Sequence, residues 1–453
     1  MHIRFTSTQN GELWPSILGD RVAAFGEATL GPLGFVSLLE TALGLVGPPV
    51  ARAERLARWL PSLRDCDAFW SRSFQDDELG VARTLLGWRD ELSLHGWQPA
   101  ITAGRLSDLA AVDESVSDGL PDRLRAIVGR LRDRSGSALV ESVDLVDPEE
   151  ELPLLWRQVI QQLRDTGSTI TRYSWPAATE SSRVQLLRAF GPREAGEEVA
   201  AWLAAQPDGK STVLIAPDLV PDTALARHAL PTTGARDDRP GPDWQLLSLV
   251  LHLGFGPPDP AQVQELLLLR PNPIPWPVRR RLLRALGESR GVHSSAWLAA
   301  AEEGLEDLDT AKAPWARRCL DVLFEADPGH DGSPDDELTS VSIESRLGLL
   351  SKWQSSELQA GSPYASLLSA GLEHARLLST VLAASRAPGW SRQHLGRWLA
   401  EVALSTRANS VHPAQAGLAC VAAPGAVTGP PLRGRRLRGP SGRRIGRSSS
   451  SCR

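Results

Sequence analysis

Between Gly191 and Pro217 the hydrophobic period of the chain changes from helical to strand-like within one short stretch, GPREAGEEVAAWLAAQPDGKSTVLIAP. A helix opens behind Gly191-Pro192, with Glu194, Glu197 and Glu198 in its first turns, where the helix dipole favours acids. Val199, Trp202 and Leu203 give it one apolar face, and Pro207-Asp208-Gly209 ends it. Thr212–Ala216 is then a continuous apolar run, the pattern of a strand buried on both faces. A helix laid back on such a strand is the repeating unit of an α/β sheet, and this constrains the fold class more than any other feature.

The same stretch contains Gly209-Lys210-Ser211, which resembles the end of a phosphate-binding P-loop. That motif needs a glycine five positions before Gly209, where Ala204 stands, and it runs strand, loop, helix, so that a helix N-terminus meets the phosphates. Here the loop leaves a helix and enters a strand, so a polar turn is expected and no ATP site or cofactor.

At 453 residues the chain has room for two or more full cores. Eight arginines lie between Leu432 and Arg453, and no acid follows Glu401. Without those eight charges the net charge of −5 becomes −13, so the body is acidic and lends nucleic-acid binding no support from net charge. Cys66, Cys319, Cys420 and Cys452 lie too far apart in sequence for a metal-ligand pair, and free thiols in a reducing, cytoplasmic setting are expected. No signal peptide is visible, and no window approaches the ~18 uninterrupted apolar residues of a membrane span.

Taken in order, His2–Phe5 begins the chain as a short strand, and Phe35–Leu43 is a helix ended by Gly44. Ala51–Leu60 is a helix stopped by Pro61. In the next helix Asp76 is the expected N-cap, Val81, Leu85, Trp88 and Leu92 form the core stripe, and Gly96 ends it in a left-handed turn. Arg89, Asp90 and Glu91 are read as a solvated face with local ion pairs in preference to a catalytic or DNA-contacting cluster. Pro121–Arg134 is amphipathic, and Ala138–Val146 is a strand running into Asp144, Asp147, Glu149, Glu150 and Glu151. Those acids could hold Mg²⁺ at a sheet edge; the preferred reading makes Asp147 a helix cap with Pro148 at the first position. The helix that follows carries Leu155, Trp156, Val159, Ile160 and Leu163, and Thr169–Tyr173 closes a β-α-β unit. Trp88, Trp156 and Trp202 are each expected to be buried anchors. Further on, Trp244–Leu253 is apolar almost all round, Ala261–Leu269 is helical, and residues 278–410 are mostly helical.

Four segments together resemble AddB-like proteins, subunits of helicase-nucleases whose own helicase half is inactivated: SFQDDELGVARTLLGWRDELSLHGW, SVDLVDPEEELPLLWRQVIQQLRDTGSTIT, REAGEEVAAWLAAQ with TVLIAPD, and WQLLSLVLHLGFGPPDPAQVQELLLLRPNPIPWPVRRRL. The resemblance implies a helix-rich α/β fold of two RecA-like (P-loop NTPase-like) domains with helical insertions, the second incomplete. Residues 1–190 would be a degenerate first domain with an insertion at about 31–135, and residues 191–430 the second, with an insertion at about 261–410. It further implies a non-catalytic, DNA-handling role in double-strand break repair and recombination, with single- or double-stranded DNA and an active helicase-nuclease subunit as partners. The alternative is a catalytically silent helical scaffold for protein interaction with no DNA role. The chain departs from the family in lacking a PD-(D/E)XK carboxylate pair followed by lysine, and the cysteines of an iron–sulfur staple. No catalytic, cofactor-binding or metal-binding residue is therefore assigned, and the DNA-contacting residues are left open. Residues 431–453 begin where an apolar strand is due and hold unpaired arginines that no sheet can bury. They are expected to be disordered, either through a frame change in GC-rich coding DNA or as a basic arm contacting nucleic acid.

Overall fold

The computed structural model describes residues 1–7, 26–45, 47, 49–100, 103–116, 118–134, 138–173, 188–205, 213–215, 222–230, 242–289, 291–324, 337–385, 387, 389–405 and 419–421. Strands β1 (His2–Phe5) and β2 (Glu27–Leu30) come first. Helices α1 (Pro32–Leu43), α2 (Arg52–Asp65), α3 (Ser71–Asp76), α4 (Glu78–Leu94), α5 (Arg105–Ala111) and α6 (Leu120–Arg132) follow. Next are β3 (Ser142–Leu145), α7 (Leu154–Asp165), β4 (Thr169–Arg172), α8 (Pro192–Ala204), β5 (Val213–Ile215) and α9 (Asp222–Arg227). A helical run comprises α10 (Pro242–His252), α11 (Pro260–Leu268), α12 (Trp276–Ser289), α13 (Ser295–Glu306) and α14 (Ala313–Phe324). The last elements are β6 (Glu337–Thr339), α15 (Ser340–Gln359), α16 (Ala365–Ser385), β7 (Gly389–Ser391), α17 (Arg392–Ser405) and β8 (Ala419–Val421).

The first four strands form one parallel sheet in the order β2-β1-β3-β4, with Ile3 opposite Val143 and Phe5 opposite Leu145. Because side chains alternate across a strand, Ile3, Phe5, Val143 and Leu145 all fall on one face. They pack with residues of α1, α6 and α7 into a core centred on Phe5, Phe35 and Trp156. The other face carries His2, Arg4, Ser142, Asp144, Thr169 and Thr171, all at least partly exposed. A helix-rich α/β architecture is thus present. β5 pairs with β8 in parallel, and β6 with β7 antiparallel.

The largest core joins α2–α5 to α10–α17, with Trp59, Trp390 and Trp398 fully buried in it. Helices from before and after residue 190 therefore share one interior. Polar contacts reinforce the join: Arg397 reaches Asp77 at 2.8 Å, and Arg83 reaches the buried Glu401 at 2.8 Å. Among the described residues no helix is long and apolar enough to cross a membrane.

Three local expectations change. α2 runs through Pro61 to Asp65, because Leu63 on the added turn is buried in the core and offsets the hydrogen bond that proline cannot make. The N-cap of α4 is Asp77, whose carboxylate accepts from Gly80 N at 3.1 Å, because Asp76 ends the preceding short helix α3. The buried face of α4 is Leu79, Ala82, Leu85, Leu86, Arg89 and Ser93, which turns Trp88 outward to 53% exposure. Trp156 is buried at 2%, and Trp202 is partly buried beside the small α8–α9 core. Gly96 has φ of 94° and closes α4, with Trp97 N bonded to Leu92 O at 2.9 Å.

Candidate functional site

In an open parallel sheet, ligands bind beyond the carboxyl ends of the strands where successive connections depart to opposite sides. β1 is that point here, since β2 lies on one side of it and β3 on the other. The ladder continues one residue past the strands, through Thr6 N to Leu30 O at 3.2 Å and Val146 N to Phe5 O at 2.9 Å. Beyond it the Asp147 carboxylate spans the gap. One of its oxygens accepts from Ser7 N at 2.6 Å, Ser7 Oγ at 2.9 Å and Thr6 Oγ1 at 3.2 Å.

In a phosphate-binding loop the backbone N–H groups after the first strand point at the phosphates. Here the Ser7 N–H is already bonded to a fixed negative charge, which would also repel a phosphate. This overturns the expected cap. Asp147 is occupied by β1, Glu149–Glu151 form a short 3-10 turn, and α7 starts only at Leu154, behind Pro153. We predict that Asp147→Ala destabilises the protein by about 1–3 kcal/mol, the cost of leaving charge-assisted hydrogen-bond donors without their acceptor. Chemical denaturation would check this, and an unchanged midpoint would show that the loop after β1 is held by other contacts.

The remaining acids of this segment separate. Asp144 lies on the open face of the sheet, 3.0 Å from His2 Nε2 and hydrogen-bonded by Thr171 Oγ1. Glu149 pairs with Arg164 at 2.8 Å. Among the described residues no group of three or more His, Cys, Asp or Glu side chains could hold a metal ion.

The open face holds an arrangement that local reading missed: Ser142 Oγ contacts His2 Nδ1 while Asp144 contacts the other ring nitrogen. The available signal was Ser142 and Asp144 two apart on a predicted strand, opposite a predicted strand bearing His2. Its elements are those of a Ser-His-Asp relay, but its setting is that of a cross-strand polar ladder. Ser142 lies within paired strands, with its own N–H 3.4 Å from Met1 O, and not on a sharp strand-to-helix turn that frees N–H groups for an oxyanion. Beside it Arg4 stacks on Tyr173, with 4.4 Å from guanidinium carbon to ring centre.

Arg89 was expected on a solvated face and is instead 3% exposed. It donates to Asp113 at 2.7 Å and to both oxygens of Asp122 at 2.6 and 2.8 Å. Asp90 in turn takes two bonds from Arg55 at 2.7 and 2.8 Å. Burial alone would pull the Arg89 pKa down, but hydrogen bonds and charge from Asp122 and Asp113 outweigh it and hold the pKa above its ordinary value. Asp122 is the mirror case. Burial pushes its pKa up, and Arg89, with the Gly119 N–H, brings it below the usual range. A Cβ at position 119 would lie 2.4 Å from the Arg55 guanidinium, so a larger residue there would push Arg55 aside.

A cavity of about 570 Å³ lies beside this network, lined by residues that include Arg52, Arg55 and Arg123. Their charges are engaged: Arg55 with Asp90, Arg123 with Glu40 at 2.5 Å, and Arg52 with Glu401 at 3.5 Å. Cys319 is buried, and desolvation pushes its thiol up to about 12, so it carries no thiolate chemistry near neutrality. Gly209, Lys210 and Ser211, and the basic segment 431–453, lie outside the described residues. In comparisons with known proteins, no protein-family model matches this chain, and no curated protein matches its sequence.

Proposed function

We propose that this chain is the non-catalytic, helicase-like part of an AddB-like subunit, which holds DNA strands during double-strand break repair while a partner subunit supplies the ATP-driven chemistry. The observation that supports this reading is the Asp147 carboxylate bonded to Thr6 and Ser7 just beyond the carboxyl end of β1, the region of an open parallel sheet where ligands otherwise bind. An inactivated helicase half needs a sheet of this kind and no working nucleotide cradle. On this reading the four-stranded sheet belongs to a first RecA-like domain in residues 1–190, and the β5–β8 pair to a second in residues 191–430. Helices α1–α6 and α11–α17 are their insertions, and α2–α5 meet α11–α17 in the shared core.

The test is a single preparation of the full chain given a single-stranded oligonucleotide and ATP together. Strand binding without ATP turnover is the expected result. Steady turnover that disappears in Lys210→Ala would remove the non-catalytic claim. Absence of strand binding even at low salt would remove the DNA role and leave the scaffold reading.

A further inference from the structure

The first turns of α12 and the residue before the preceding loop carry a surface patch of an exposed indole and arginines. Trp276 opens the helix and is 44% exposed. Two guanidinium groups lie against its ring, Arg279 at 5.1 Å and Arg270 at 5.4 Å. Arg279 is buried and donates to the carbonyls of Leu267 and Leu269, each at 2.9 Å, so its guanidinium is held in place beside the ring. Arg280 and Arg284 stand four and eight residues after Trp276, one and two turns along the same face, with about 6 Å of rise per step.

Charge use separates these arginines from their neighbours. Arg281, one position on, pairs with Glu303 and with Asp307, the latter at 2.7 Å. Arg270, Arg280 and Arg284 are exposed and pair with no described acid.

We propose that this patch is a contact site for single-stranded DNA, with a base stacked on Trp276 and the flanking phosphates held by Arg270, Arg280 and Arg284. It rests on the DNA-handling reading above and names the residues responsible. Stacking on an exposed aromatic ring beside a line of cations is how proteins hold single strands without reading their sequence. The ring's two neighbouring cations make the site attractive to anions in a chain whose body is otherwise acidic. Burial, and then the charge of Arg270, lower the pKa of Arg279 to about 10, which still leaves it a cation near neutrality.

The experiment is equilibrium binding of labelled oligo(dT) and of a duplex to the full chain and its variants across a salt series. Trp276→Ala should weaken oligo(dT) binding roughly tenfold, while Trp276→Phe retains most of it. The double variant Arg280→Ala with Arg284→Ala should flatten the plot of log affinity against log salt by about 1.4, two phosphate contacts at ~0.7 each. Arg281→Ala, whose charge is already neutralised, should leave both quantities unchanged. The C-terminal arginines are common to all variants and cancel. These are surface substitutions, and unchanged circular dichroism confirms that each variant is folded. If the wild type binds and the Trp276 and Arg280/Arg284 variants bind equally well, the patch is wrong and the DNA reading stands. If Trp276→Ala weakens duplex as much as single strand, the stacking role is wrong. If the wild type binds no strand at low salt, patch and reading fail together.

Discussion

Replacing Arg89 with alanine is expected to destabilise the protein by about 3–5 kcal/mol, the usual cost of removing one partner from a buried ionic network. The substitution leaves Asp113, only 13% exposed, without a guanidinium, and Asp122, 15% exposed, with Arg125 alone at 3.0 Å. Asp90 keeps Arg55, so the loss falls on the contact between α4, α6 and the turn at Asp113–Ser115. That contact joins the helical core to α6, which packs on the sheet. Arg89→Lys retains charge but not the two-pronged bond to Asp122, and should fall between wild type and alanine. The network also sets an acid limit. The Asp122 pKa is lowered in the folded state, so its stabilisation is fully present above its unfolded value near ~3.9 and is lost as pH falls through the folded value. Urea denaturation of wild type and Asp122→Asn should therefore differ at neutral pH and converge under acid. An Arg89→Ala midpoint equal to wild type would mean that Arg89 is solvated after all.

Trp156→Ala should cost a similar ~3–5 kcal/mol, as expected for truncating a fully packed aromatic residue. Its ring lies 4.8 Å from that of Phe5 and stacks with Phe35 at 6.1 Å, so removing it opens the core that covers the inner face of β1 and β3. Trp88→Ala provides the contrast. With half its surface already in water, it should change stability by no more than about 0.5 kcal/mol. Equal losses at the two positions would place α4 in the wrong rotational phase.

These two tryptophans also show how far local pattern reached. In α7 the apolar stripe is unambiguous, and Leu155, Trp156, Val159, Ile160 and Leu163 are buried as their spacing predicts. α4 is ambiguous because apolar residues occur on two faces. Choosing the one with Trp88 and Leu92 is an error of about one position, roughly 100° of rotation. The deciding term was invisible locally, since a buried arginine is stable only through acids 24 and 33 residues away in sequence. Asp147 follows the same logic. Asp-Pro before three glutamates reads as a helix start, yet its partners Thr6 and Ser7 lie some 140 residues earlier and reach it only through the parallel pairing of β1 with β3. The α/β character, the first strand, the β3-α7-β4 unit and most of the helices were legible because they are short-range patterns. The polar networks were not, because their partners lie 24 to 141 residues apart and meet only in the fold.

In the role proposed for it, the chain grips DNA through phosphate contacts and performs no nucleotide chemistry. The most direct measurement is the affinity of the full chain for a single-stranded oligonucleotide as salt rises, with ATP omitted throughout. The expected result is tight binding at low salt and a linear fall of log affinity with log salt, its slope about −0.7 for each phosphate engaged. Binding that is absent at low salt, or that appears only when ATP is added, would contradict it.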